Sequence, residues 1–235
     1  MAIDFIRKSI DGCFLNYYEN QGIVLGFTEK GFQVKDLSTY FHVQRLVELK
    51  QVHSDILRFS SQISEGMEGD GIFLDEPGTM AVIKTADCTP LFFWEKDYAG
   101  AGIIHIGWQG LLKGIEKKLM TLLEERAIPP GNFFFYMGPA IERMCYQVGP
   151  DLYEKFAGKW YREEIFYRDR MDIKKGISLS LQESGIPAER IMDGGICTFC
   201  EAKRFPSYRR EKRNGDTGGR IYNFLLLKAT PPQIF

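Results

Sequence analysis

Residues 80–106 read MAVIKTADCTPLFFWEKDYAGAGIIHI, and this stretch decides the fold. Met80 to Lys84, Leu91 to Trp94 and Ala101 to Ile106 are three apolar runs of strand length, close together in the chain. None alternates strictly with polar residues, so each predicts a strand covered on both faces. Just downstream, Leu111, Ile115, Leu119 and Leu122 recur at helical spacing. They predict a helix from Gly110 to Arg126, with Lys113, Glu116, Lys117 and Glu124 elsewhere on its surface and Pro129-Pro130-Gly131 ending it. Buried strands beside an amphipathic helix place the chain in the α/β class.

Upstream, Cys13 to Tyr18 and Gly22 to Phe27 predict a hairpin turning at Asn20-Gln21-Gly22. Leu46 to His53 carries enough β-branched and alternating character to predict a strand ending at His53. Ser64 to Gly71 reads as a loop leading into Ile72-Phe73-Leu74, with a turn at Pro77-Gly78. Further on, Asn132 to Met137 predicts a buried strand stopped by Gly138-Pro139. Helices are expected over Asp151 to Lys159 and Asp172 to Ser184, the second ending at Gly185. Arg204 to Arg220 is basic, Gly-rich and poorly periodic, which predicts a loop. No repeat or linker divides the chain, so residues 1–235 are expected to form a single catalytic domain.

Composition narrows the function classes. At 44% hydrophobic residues the chain can fill a sizeable core, and a net charge of -1 argues against bulk electrostatic binding of nucleic acid. No apolar run approaches the roughly 18–20 residues that span a bilayer, so no membrane partner is expected. The start alternates charge with apolar groups and lacks the apolar core of a signal peptide, which predicts a cytoplasmic protein. Five cysteines, an odd number, do not suggest a disulfide framework; in a reducing compartment they point to metal binding or catalysis.

His53, Cys88 and His105 each stand at the end of an apolar strand or just beyond it, where side chains converge at the rim of a sheet. Two imidazoles and one thiolate suit zinc, and three protein ligands leave a fourth position open for chemistry. Spacing alone leaves the alternative standing, because three scattered His and Cys residues are often unrelated core or surface groups. Cys197-Thr198-Phe199-Cys200 is a CxxC with no second pair to complete a four-Cys site, and reads as packing. Cys13 and Cys145 read as core residues.

Gly69-Asp70-Gly71, Thr85-Ala86-Asp87-Cys88-Thr89-Pro90 and His105-Ile106-Gly107-Trp108-Gln109-Gly110 closely resemble the motifs of the YfiH/YlmD family. Members have been called laccase-domain, polyphenol-oxidase or peptidoglycan-editing proteins, and are described as purine nucleoside phosphorylases. The likeness continues through Gly138-Pro139-Ala140-Ile141, Tyr146-Gln147-Val148-Gly149, Cys197-Thr198, Phe205-Pro206-Ser207-Tyr208-Arg209-Arg210 and Gly215-Asp216-Thr217-Gly218-Gly219-Arg220. From Lys50 to Arg220 the motifs keep the family's order.

The resemblance implies an α/β sandwich with a mixed central sheet and flanking helices. It implies a metal site of His53, Cys88 and His105, holding zinc, with copper as the alternative. It further implies phosphorolysis of adenosine, inosine and methylthioadenosine, with adenosine deaminase activity. Cys88, His105, Asp87 and Gln51 then form the catalytic set, the last two as neighbours of ligands that orient them or move protons, although Asp87 equally suits a turn cap. Arg209, Arg210 and Arg220 are natural phosphate holders because guanidinium offers paired donors, with a solvated basic surface as the plainer reading of Arg210. Trp108 is expected to line the pocket. The implied partners are a purine nucleoside and phosphate, with the protein a monomer or weak homodimer.

One departure stands out: Glu29 occupies the place of a family Arg, with Lys30 the nearest substitute, and the stretch that follows is short. Three other readings are open: a thiol hydrolase or amidase acting on cell-wall precursors through Cys88 and His105, a zinc-binding interaction protein with four closed ligands, and a copper-dependent phenol oxidase. The last is weakened by the lack of His-X-His pairs in a chain with three histidines.

Overall fold

The structure, a computed structural model, describes residues 3–98, 100–215 and 218–228. The chain opens with β1 (Ile6–Ile10), β2 (Cys13–Glu19), β3 (Ile23–Thr28) and α1 (Val34–Tyr40), followed by β4 (Arg45–Glu48) and β5 (Leu57–Phe59). The central run is β6 (Gly71–Leu74), β7 (Thr79–Thr85), β8 (Thr89–Glu95), β9 (Ala101–Ile106), α2 (Trp108–Lys113), α3 (Ile115–Glu125) and β10 (Phe133–Met137). Then come α4 (Pro150–Lys155), α5 (Arg162–Ile165), the short pair β11 (Phe166–Tyr167) and β12 (Arg170–Met171), and α6 (Ile173–Glu183). The last described elements are β13 (Ile191–Asp193), α7 (Tyr208–Asn214) and β14 (Ile221–Leu227).

The expected α/β sandwich is present, but its central layer is two sheets rather than one. One runs β1-β2-β3-β14-β7-β4 and the other β13-β10-β8-β9-β6-β5, each mixed. Period-two alternation in the central strands explains why they read as continuously apolar. In β8, Phe92 and Trp94 enter the core between the sheets while Leu91 and Phe93 pack toward α2, α3 and α6. In β7, Ala81 and Ile83 face the second sheet while Met80 and Val82 pack with Leu37 of α1.

Several expectations need correcting. The strand proposed to end at His53 stops at Glu48, and His53 sits in a loop with φ 55°. The helix expected over Gly110 to Arg126 is two helices, broken at Gly114, whose left-handed φ of 81° caps the first. The Arg204 to Arg220 segment is not all loop: the Ser207 side chain accepts from the Arg210 N–H and starts α7, which Gly215 ends. Cys13 and Cys145 are half-buried rather than core. The sequence reading left Ile221 to Leu227 unassigned, yet β14 lies in the middle of the first sheet, between β3 and β7. The hairpin matches, with the Asn20 side chain accepting from the N–H groups of Gly22 and Ile23. Asp172 caps α6 by accepting from the Lys175 N–H. Among the described residues, no helix is long and apolar enough to cross a membrane.

Glu29 is buried where β3 ends. Its carboxylate accepts from both Arg7 Nε and Nη2 at 2.8 Å, from Arg204 Nε at 2.9 Å and from Asn16 Nδ2 at 3.1 Å. Burial opposes its ionisation, but these bonds prevail and hold the carboxyl down to about 2. Glu29 is thus an anion that ties β1 and β2 to the 201–205 turn. A Glu whose folded value is depressed contributes stability that is complete above about 4.5 and is lost as pH falls toward about 2. The urea midpoint of the wild type should therefore fall more steeply across that window than that of Glu29→Gln. Parallel pH profiles would remove Glu29 from the acid response.

Candidate metal centre and cavity

Strand register builds the site. The pairing of β6 with β9 sets Gly71 opposite Ile104, which places Asp70 opposite His105 one step beyond. Alternation along β9 sends Ile104 and Ile106 toward the helices and leaves His105 on the inter-sheet side with Ile103. The pairing of β8 with β9 sets Thr89 opposite Ile106, so Cys88 falls opposite Gly107. Cys88 lies on the crossover from β7 in one sheet to β8 in the other, and His53 arrives on the loop after β4. The ligand atoms of His53, Cys88 and His105 all lie within 4.8 Å of one another, and the two imidazole centroids are 4.8 Å apart. Donors around tetrahedral zinc stand about 3.3–3.8 Å apart, so a small closure seats an ion. A Cβ on Gly107 would come within 2.9 Å of His53 Nδ1 and 3.0 Å of Cys88 Sγ, so the donors crowd a spot that only glycine leaves clear.

Asp70 organises two of the three ligands. Its fully buried carboxylate meets His105 Nδ1 at 2.8 Å, which leaves Nε2 as the ring nitrogen that an ion could take. The same carboxylate accepts from the backbone N–H groups of Val52, His53 and Ser54 at 3.3, 3.1 and 2.6 Å, and from the Ser54 hydroxyl at 2.6 Å. A left-handed non-glycine residue costs about 1–3 kcal/mol, whereas each hydrogen bond to a charged group contributes about 1.5–3 kcal/mol. The loop bonds therefore outweigh the strain at His53. Burial works against the Asp70 anion, but His105 and Ser54 hold its carboxyl down to about 2.

The imidazoles differ. Burial disfavours charge on His105, yet bonds to Asp70 and Cys88 prevail and raise it to about 9. His53 is lowered by burial and by the neighbouring His105, against the pull of Asp70, which favours the neutral, metal-ligating form.

A cavity of about 770 Å³ opens over these groups. Trp108, at the start of α2, lines it and also packs against the helix-side core. Tyr146, Tyr208, Ile141 and Ile173 supply further apolar wall, and Lys50, Lys84, Arg209 and Arg220 supply the cations. Two of these are neutralised, Lys50 by Glu68 and Lys84 by Glu48, each at 2.8 Å. Among the described residues neither Arg209 nor Arg220 forms an ion pair; Arg209 lies 5.2 Å from the Tyr146 ring centroid and donates to the Gln147 carbonyl, and Arg220 donates to the Gly219 carbonyl. Burial raises the Tyr146 phenol well above its usual range, so it stays a donor.

The remaining sequence candidates divide. Gln51 and Asp87 line the cavity with their polar atoms engaged. Gln51 bonds both ways with the Lys84 backbone at 2.8 and 2.7 Å. Asp87, with φ 88°, accepts from the Thr198 hydroxyl, the Ser207 hydroxyl and the Arg209 N–H at 2.7, 3.0 and 2.7 Å. Arg210 does not reach the cavity: it is buried and donates to the carbonyls of Thr198, Phe199 and Phe205. Neither Glu29 nor Lys30 lines the cavity, and Asp216 and Thr217 of the last motif lie outside the described residues. Asp70 and Tyr146 stood in quoted motifs without a role. The signal for Asp70 was an acidic residue between two glycines just before a buried strand.

Comparison with known proteins identifies the family and the fold. Residues 33–228 match the profile of a family described as multi-copper polyphenol oxidoreductase laccase. A protein of Clostridium acetobutylicum named purine nucleoside phosphorylase is 30% identical over 207 residues, covering 86% of this chain and 85% of its own. The Escherichia coli purine nucleoside phosphorylase YfiH is 30% identical over 187 residues, covering 77% and 73%. In three dimensions, YfiH of Bacillus licheniformis superposes with a TM-score of 0.81 at 22% identity over 91% of this chain and 96% of that one. YlmD of Geobacillus stearothermophilus gives 0.80 at 21% over 96% and 100%.

Asp70→Asn removes the charge that orients His105 and the 52–54 loop. Loss of such an outer partner costs about 10–100-fold in metal affinity, and competition against a chromophoric chelator should show a drop in zinc affinity of that size. Unchanged affinity would mean that Asp70 does not position the ligands.

Proposed function

Because the chain belongs to the YfiH/YlmD family, we propose that it is a zinc-dependent purine nucleoside phosphorylase acting on adenosine, inosine and methylthioadenosine, with adenosine deaminase activity. The observation that carries this reading is one cavity holding the His53, Cys88 and His105 donors together with two guanidinium groups that form no ion pair among the described residues. In the proposed reaction the phosphate oxygen bonds to the anomeric carbon, the bond from that carbon to the purine nitrogen breaks, and the purine leaves with its electron pair and takes up a proton.

Arg209 and Arg220 hold the phosphate dianion by paired donors. Trp108 and Tyr208 bound the purine ring, and the protonated Tyr146 phenol, beside both Cys88 and Arg209, offers a hydrogen bond to the incoming oxygen or the leaving base. His53, Cys88 and His105 hold the zinc, which when bound supplies Lewis acidity toward water or a substrate heteroatom. Asp87 and Gln51 act by position: Asp87 fixes the start of α7, and with it Arg209, while Gln51 fixes the edge of β7. In deamination, water bonds instead to the purine ring carbon that carries the amino group, the bond from that carbon to the amino nitrogen breaks, and the nitrogen takes up the water's proton and leaves as ammonia.

Zinc-loaded protein given inosine and phosphate is expected to release hypoxanthine and ribose 1-phosphate, and Cys88→Ala to abolish the release. If the loaded protein acts on neither inosine nor adenosine, the proposal fails. Losing a charge-assisted hydrogen bond worth about 1.5–3 kcal/mol means that Arg209→Ala or Arg220→Ala should raise the KM for phosphate about 10- to 100-fold. The KM for the nucleoside should move far less.

One observation favours a second reading, a thiol hydrolase or amidase. The bond between Cys88 and His105, backed by Asp70, resembles a nucleophile, a base and its orienting group. Alkylation separates the two: stoichiometric zinc that shields Cys88 until chelator is added rules the thiol mechanism out.

A further inference from the structure

The CxxC that sequence spacing left without a partner acquires one in three dimensions. The sulfurs of Cys145, Cys197 and Cys200 lie within 4.8 Å of one another, and Cys145 and Cys200 are 3.3 Å apart. None of the three lines the main cavity. Thiolates around tetrahedral zinc, at a Zn–S distance of about 2.3 Å, stand about 3.8 Å apart, a spacing that three sulfurs within 4.8 Å of one another reach by small shifts.

The backbone builds this cluster. Cys197 forms a bridge with Ala140, and the Thr198 N–H donates to the Ala140 carbonyl. The Glu201 N–H donates to the Cys197 carbonyl, closing the turn that brings Cys200 back beside Cys197. Cys145 comes from a separate 3-10 turn, in which its own N–H donates to the Glu142 carbonyl. The buried Arg210 guanidinium holds the CxxC turn through the carbonyls of Thr198 and Phe199. The donors are therefore brought together before any ion binds.

A disulfide would join two of these sulfurs and leave the third idle. Convergence of all three fits a soft cation better, since thiolates select zinc and its d10 relatives. We propose that Cys145, Cys197 and Cys200 form a second metal site, binding a thiophilic d10 cation such as Zn2+ through three thiolates, with the fourth position open to solvent beside exposed Cys200. Binding forms three metal–sulfur bonds and releases three thiol protons to solvent.

The site ties together two turns that serve the cavity. Tyr146 follows Cys145 and lines it, and Thr198 follows Cys197 and donates to Asp87.

Reduced, chelator-stripped protein titrated with Zn2+ should bind one equivalent more than the Cys145→Ser/Cys200→Ser variant. Cys88→Ala should keep that extra equivalent, which separates it from the His53, Cys88 and His105 centre. Zn2+ should also protect Cys145, Cys197 and Cys200 from alkylation, read by peptide mass. Cd2+ should give a sulfur-to-metal charge-transfer band in Cys88→Ala that weakens in Cys88→Ala/Cys200→Ser. Because Cys200 is exposed, that substitution keeps the test decisive if the Cys145→Ser/Cys200→Ser variant does not fold. Equal stoichiometry in all proteins, alkylation unaffected by Zn2+, or a Cys145–Cys200 disulfide that persists in zinc-loaded protein would overturn the proposal.

Discussion

The contact between the Asp70 carboxylate and its surroundings is the interaction on which the rest of the site depends. A carboxylate with no solvent exposure is costly unless every oxygen is satisfied, and here the donors come from three backbone N–H groups, the Ser54 hydroxyl and His105. Those donors are also the pieces the site must align. One buried anion holds His53 in a left-handed conformation, fixes which nitrogen of His105 faces the candidate metal centre, and depends on the β6–β9 register to do both. A slip of one residue would turn His105 to the opposite face and leave Asp70 without its imidazole.

The two-sheet layering explains why the cavity lies where it does. Between the sheets the core is closed by Phe92, Ile103, Ile83 and Leu225. At the β7–β8 crossover the chain leaves one sheet for the other, and side chains that would continue the core become Cys88 and His105 instead. Two of the non-glycine residues with left-handed backbone, His53 and Asp87, are neighbours of this crossover or of its ligands. Strain is tolerated there because each residue is held by several charged hydrogen bonds, His53 by Asp70 and Asp87 by its own carboxylate.

Much of this was legible in the sequence, and the failures have physical causes. The central strands could be read because burial on both faces leaves apolar runs without polar interruption. Ile221-Tyr222-Asn223-Phe224-Leu225-Leu226-Leu227 went unassigned although equally apolar. Its burial arises from pairing with β3 and β7, far away in the chain, rather than from any local pattern. The Gly110 to Arg126 periodicity was real, but spacing cannot reveal that Gly114 turns left-handed and resets the helix. Helix α7 was hidden because its charged residues show no apolar stripe; a serine cap and a glycine stop define it instead. The three residues of the candidate metal centre were singled out and do lie together, while the anion beside them was noticed only as part of a motif. Ligand types announce themselves chemically, whereas an orienting carboxylate is identified by register.

Arg209 and Arg210 show where sequence reasoning ends and geometry begins. They are adjacent, identical in chemistry, and were assigned the same role. On a helix, consecutive side chains diverge by about 100°, and that angle separates their fates. Arg209 points into the cavity over Tyr146, while Arg210 turns inward and satisfies three loop carbonyls. The separation matters electrostatically. Lys50 and Lys84 are neutralised by Glu68 and Glu48, and Arg210 is absorbed by the CxxC turn and its neighbour. Beside the Asp87 carboxylate, which also lines the cavity, the cations without an ion pair among the described residues are Arg209 and Arg220, joined by whatever ion the His53, Cys88 and His105 centre holds. An anion with two negative charges is the ligand this distribution suits best. A neutral nucleoside, by contrast, gains more from the aromatic walls than from the field. The two halves of the proposed reaction thus draw on different parts of one cavity.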